Sequence, residues 1–112
     1  MRYALPMSNG KVSSHFGHCE QFALIDVDEA ARKIVNKELV IPPEHQPGVF
    51  PSWLAEEGVN IVIAGGMGPR AQNLFSENRI EVVVGAVGDD PEEIVLAHLY
   101  GTLATGDNVC DH

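Results

Sequence analysis

Val59-Asn60-Ile61-Val62-Ile63-Ala64-Gly65-Gly66-Met67-Gly68-Pro69-Arg70-Ala71 is the stretch whose reading decides the fold. Its first six residues are apolar or small and carry no charge, the pattern of a strand buried on both faces of a sheet. Three glycines in the next four positions then leave a backbone free to reach φ > 0 and open to close approach by a ligand. Pro69 suits the first turn of a helix, and Ala71, Leu74 and Phe75 follow at helical spacing. A buried strand therefore runs through a glycine turn into a helix N-terminus. That geometry gathers free N–H donors and the positive end of a helix dipole, and Arg70 adds a full charge, so the stretch favours an anion. The same pattern is also the ordinary way to build a tight α/β connection, and both readings stand at this point. Gly66, Gly68 and Ala71 fit G-x-G-x-x-A, but a dinucleotide site needs an acidic residue ending the next strand. That strand, 81–84, ends in Gly85 and Ala86.

Outward from this segment the chain resolves into short elements. Upstream, strands are predicted over 2–7, 21–27 and 34–41, with an Asn9-Gly10 turn after the first and a polar, histidine-bearing loop over 12–19. Three prolines within residues 42–47 forbid a regular ladder there. A helix over 50–57 follows, with Phe50, Trp53 and Leu54 inward and Gly58 as its stop. Downstream, Asn78 is placed to end the second helix in αL conformation, and 80–84 reads as another buried strand. Asp90-Pro91-Glu92-Glu93 is a helix start, with Asp90 as N-cap and Glu93 completing a capping box. Leu96, Leu99, Tyr100 and Leu103 form the expected apolar face of the third helix. The order β-β-β-α-β-α-β-α predicts an α/β fold with a five-stranded mixed sheet. Residues 1–103 form one domain and 104–112 a polar tail. If the first and fourth strands pair, the first, third and fourth strands all end at one sheet edge. That edge carries the loops holding His15, His45, Gly65 and Asp90, where ligands of open α/β sheets bind.

The 112 residues suffice for one domain. Composition is that of a globular protein, 45% hydrophobic and 21% charged. Sixteen acidic against seven basic residues give a net charge of −9, which repels nucleic acid. No apolar run is long enough to span a membrane and no signal-peptide pattern opens the chain, so the expected location is cytoplasmic. Cys19 and Cys110 are too few for a disulfide scaffold.

His15-Phe16-Gly17-His18-Cys19 places two imidazoles and a thiol within five residues. These ligands suit zinc, copper, iron and iron–sulfur clusters better than magnesium or calcium. In the plainer reading the histidines cap a turn and Cys19 is a small buried hydrophobe. His45 joins this set if the sheet edge forms as described, and Cys110 with His112 is a second soft pair. Met67 offers a thioether or packs. Templates for catalysis fit poorly: adjacent His18 and Cys19 do not face one another, and no third group orients them.

Taken together, Gly10, Val12, Ser13 and His15-Phe16-Gly17, Pro51 and Leu54 before Gly58, the 65–71 segment, Phe75, Ile80 and Cys110-Asp111-His112 resemble the dinitrogenase iron-molybdenum cofactor biosynthesis family. The resemblance spans nearly the whole chain. It implies a ribonuclease H-like three-layer α/β/α fold and carriage of an anionic metal–sulfur cluster, iron–sulfur or iron/molybdenum–sulfur, without turnover. Cluster donor and acceptor proteins are the partners it implies. Ser13, His15, Gly65, Gly66, Met67, Gly68 and Arg70 are the positions it places at the ligand. Two other classes remain: a regulatory module binding a phosphorylated small molecule at the glycine loop, and a small enzyme acting through Cys19.

Overall fold

The computed structural model describes residues 1–13, 16, 19–44 and 48–106. Nine elements follow in order: β1 (Arg2–Ser8), β2 (Lys11–Val12), β3 (Gln21–Asp28), β4 (Lys33–Val40), α1 (Val49–Glu56), β5 (Ile61–Ile63), α2 (Pro69–Glu77), β6 (Glu81–Val83) and α3 (Pro91–Leu99). The sheet has six strands where sequence predicted five, in the order β4-β3-β1-β5-β6, with β2 paired to the end of β1. The extra strand comes from the Asn9-Gly10 turn. Asn9 (φ 53) and Gly10 (φ 76) both take the left-handed conformation of a two-residue hairpin turn. The chain folds straight back to pair Met7 with Val12 and Ser8 with Lys11. An arm two residues long shows no alternation, so nothing in its sequence marks it as a strand.

β1 pairs antiparallel with β3, and β3 antiparallel with β4, while β1, β5 and β6 run parallel. The ends of β1, β4, β5 and β6 therefore share one edge of the sheet, as expected from sequence. Alternation along β1 splits the core in two. Ala4 joins Phe16, Phe22, Phe50, Leu54, Val62, Met67 and Phe75 beneath α1 and α2. Tyr3, Leu5 and Met7 join Ile25, Ile63, Ile94 and Val95 beneath α3. The sheet thus lies between one helix layer of α1 and α2 and another of α3. The fully buried Tyr3 ring keeps its hydroxyl paired by reaching His98 Nδ1 at 2.7 Å.

Two local expectations are corrected. Asn78 ends α2 with φ −91, and the αL residue is Arg79 at φ 61. Asn78 instead turns its side-chain amide back to donate to Leu74 O at 2.8 Å. Of the expected α3 face, Leu99 and Leu103 do pack, half-buried, against the core beneath α3, but the fully buried positions are Pro91, Ile94 and Val95, and Tyr100 lies exposed beyond the helix. Helix α3 is nearly apolar along its middle, so the sequence offers two overlapping stripes, and packing on β1 and β3 selects the one led by Ile94.

Candidate functional site at the shared strand edge

β5 ends at Ile63, and residues 64–68 carry the chain to α2. The turn is fixed by its carbonyl groups. Ala64 O accepts from Ala86 N–H at 3.2 Å, Gly65 O from Gly85 N–H at 3.1 Å, and Gly66 O from Phe16 N–H at 3.2 Å. Gln72 holds the last part, donating its side-chain amide to Met67 O at 2.9 Å and its backbone N–H to Gly68 O at 3.2 Å. The donors are left over. No acceptor among the described residues meets the N–H groups of Gly66, Gly68, Arg70 or Ala71. Gly68 is the N-cap of α2, extended at φ −67, so it supplies no capping oxygen, and the first turn contains no acid. The freedom of these glycines to reach φ > 0 is not used in this loop. Among the described glycines the positive φ values lie elsewhere, including Gly85 at φ 78.

The opening of α2 is therefore an uncapped, positively polarised helix end flanked by a glycine-rich turn whose one long side chain, Met67, points into the core. Arg70 stands exposed on its first turn, and no carboxylate among the described residues pairs with it. Met67 is buried in the core beneath α1 and α2.

Phe16 and Cys19 are the described residues of the 14–19 segment, and Phe16 packs beside the same turn. Its ring is buried within 5.3–5.7 Å of the Phe22, Phe50 and Phe75 centroids, and its N–H bonds to Gly66 as described. His15 and His18 lie outside the described residues, as do His45, Cys110 and His112. Ser13 is half-buried, with its N–H bonded to Pro6 O at 2.7 Å. Cys19 is half-buried against the same core, and burial pushes its thiol up to about 11, so it holds its proton at neutral pH. Among the described residues no group of three metal-ligating side chains forms.

Three contributors escape a reading of the sequence: Phe16 as an anchor, Gln72 as a staple, and Gly85. Gly85 lies buried between two backbone segments, donating to Gly65 O and accepting from Gly106 N–H at 2.6 Å. A Cβ there would collide with the Gly106 carbonyl. The chain start of the polar tail thus returns to this edge, where Thr105 forms a bridge with Ala86. The one available signal was a glycine directly after a β-branched run, the pattern already seen at Ala64-Gly65. No helix among the described residues is long and apolar enough to cross a membrane.

Residues 1–101 match the family described as dinitrogenase iron-molybdenum cofactor. The uncharacterised protein MJ0580 of Methanocaldococcus jannaschii is 34% identical over 87 residues, which is 73% of this chain and 72% of that protein. The crystal structure of PH0822 superposes with a TM-score of 0.84 at 30% identity, covering 94% of both chains. The apo form of the orange protein from Desulfovibrio gigas superposes at 0.72 with 24% identity, covering 96% of this chain and 93% of that one, a likeness of fold. Helix layers on both faces of one mixed sheet, a glycine turn at its shared strand edge and a family match over nine-tenths of the sequence lead to one conclusion: this chain belongs to the dinitrogenase iron-molybdenum cofactor family.

Proposed function

We propose that this protein is a non-enzymatic accessory of metallocofactor assembly that carries or stores an anionic metal–sulfur cluster at the 65–70 edge. The supporting observation is the uncapped start of α2, where, among the described residues, the N–H groups of Gly66, Gly68, Arg70 and Ala71 have no acceptor and the Arg70 guanidinium no carboxylate partner. Such donors match the sulfides of a cluster, whose charge Arg70 offsets. In a chain of net charge −9 an anion is held only where the local field is reversed. His15, with His18, supplies neutral imidazole to an exposed metal, since Phe16 binds their loop to Gly66. Cys19 ligates only if the metal displaces its proton, and Ser13 lines the entry. His45, Cys110 and His112 are further candidates for soft ligation. Family membership and the sheet order support a ribonuclease H-like assignment of the fold, a cytoplasmic setting and exchange of the cluster with donor and acceptor proteins. Weak ligation suits a cargo that must be passed on.

The test is anaerobic loading with iron, sulfide and tetrathiomolybdate, followed by metal analysis and visible spectra. Wild type is expected to retain metal with sulfide-to-metal charge-transfer bands, and Arg70→Gln and His15→Ala to retain less. A chain that stays colourless under every condition, yet binds inorganic phosphate at the 65–70 loop by amide shifts, would replace the cluster with a phosphorylated small molecule.

A further inference from the structure

Three of the five large hydrophobic side chains exposed among the described residues, Val35 (59%), Leu39 (50%) and Ile41 (79%), lie on β4 or directly after it. β4 is also an end of the sheet, so its outer backbone edge has no strand partner among the described residues. Edge strands are usually guarded by bulges, prolines or lysines. Here a bulge falls at Val35 and Pro42 follows Ile41, which leaves residues 36–40 regular in the ladder and Ile41 directly after it. The lysine in that stretch, Lys37, is drawn to Glu92 of α3 at 3.1 Å rather than facing solvent alone. On the α3 face, Leu39 and Lys37 border a groove of about 430 Å³ with an apolar floor, Met7 and Pro91, and a carboxylate wall in which Glu92 is paired with Lys37 while Asp89 and Asp90 have no cation partner among the described residues.

We propose that residues 36–41 take an extended segment of a partner protein as an added strand, with lysine or arginine side chains of that segment seated in the groove between β4 and the start of α3. Strand addition satisfies the free backbone edge and places every second side chain on the α3 face. A long aliphatic stem ending in a cation fits apolar floor and acidic wall together. A second copy of this chain fits badly. Two-fold antiparallel pairing along the regular part of β4 sets residues of like parity opposite one another, so Lys37 would meet Lys37 or Leu39 and never an acid. Self-association also brings together two chains of charge −9. The groove lies on the α3 face and the glycine loop on the α1/α2 side, so this surface stands whether or not the cluster reading holds.

The probes are three eight-residue peptides: alternating lysine and valine, alternating glutamate and valine, and a block of four lysines followed by four valines. The alternating lysine peptide is expected to bind with amide shifts at residues 36–41 and 89–92. Asp89→Asn/Asp90→Asn, in which asparagine preserves the helix cap, is expected to weaken it by about tenfold, as loss of two charge pairs implies. Leu39→Lys should do likewise, because it sets a like charge at the border of the groove, with circular dichroism confirming that both variants fold. Equal binding of the block peptide, unchanged affinity of the double variant, shifts confined to the 65–70 loop, or a dimer formed through β4 without peptide would each overturn the proposal.

Discussion

Helices α2 and α3 both follow a parallel strand, both begin with a proline, Pro69 and Pro91, and both open at the same edge of the sheet. α3 satisfies its own start. Asp90 accepts the Glu92 N–H at 2.9 Å, and Glu92 and Glu93 complement the dipole. α2 does none of this: Gly68 has no capping oxygen, no acid follows, and a cation, Arg70, stands where an anion would stabilise the helix. A side-chain cap contributes about 1 kcal/mol relative to alanine and a few tenths relative to glycine, and α2, with Gly68 at its N-cap, forgoes it. A helix start without a cap beside one that Asp90 caps is the contrast on which the proposed anion site rests, although the Glu93 arm of the expected capping box does not form at α3. The two proposed ligands differ in charge accordingly, an anion at α2 and a cation beside α3.

The comparison breaks most completely at Phe16, which fastens the histidine-bearing loop to the α2 side alone. Phe16→Ala is expected to lower the unfolding free energy by about 3–5 kcal/mol in urea titrations, through loss of its contacts with Phe22, Phe50 and Phe75. Gly85→Ala comes next. It forces a side chain onto a φ of 78 and into the Gly106 backbone, so a loss of about 1–3 kcal/mol is expected from thermal melts. Amide shifts should spread to Gly65 while the start of α3 stays unmoved.

Alkaline pH separates the two core faces. Burial raises Cys19, against the α1/α2 core, from 9.0 to about 11, and Tyr3, beneath α3, from 10.0 to about 12. Both groups are neutral when protonated and hold the proton more tightly when folded. Their stabilisation is therefore complete below the unfolded pKa and lost as pH rises, from 9 to 11 for Cys19 and from 10 to 12 for Tyr3. Cys19→Ala should remove the earlier decline in stability against pH and leave the later one.

The order of strands and helices was legible in the sequence because β-branched runs, glycine exits and the Asp90-Pro91 start are local signals. What was not legible depends on partners distant in the chain. β2 exists only because β1 lies beside it, Ile94 faces inward only because β1 and β3 do, and Gly85 needs its glycine because Gly106 returns to it. The site was legible as a composition, Gly65 to Arg70 with the nearby histidines. Which of its N–H groups stay unpaired, and that Phe16 joins the two loops, required the fold.

Exchanging the two helix starts is the sharpest use of the comparison, and it carries the smallest energies. Asp90→Ala removes the α3 cap and should cost about 1 kcal/mol without altering cluster retention. Gly68→Asp does the reverse at α2. Gly68 already has the extended backbone of an N-cap, and nothing lies within 4 Å of where a Cβ would stand, so aspartate fits without rearrangement. Its carboxylate would accept a first-turn N–H and meet the helix dipole, a gain of a few tenths to about 1 kcal/mol. The same carboxylate would occupy the donors proposed for the cargo and place a like charge beside it. Stability and cluster retention should therefore move in opposite directions, the melting temperature up and the charge-transfer absorbance down. If both rise, or if retention is unchanged, the start of α2 is an unoptimised helix end and the cargo sits elsewhere on the edge.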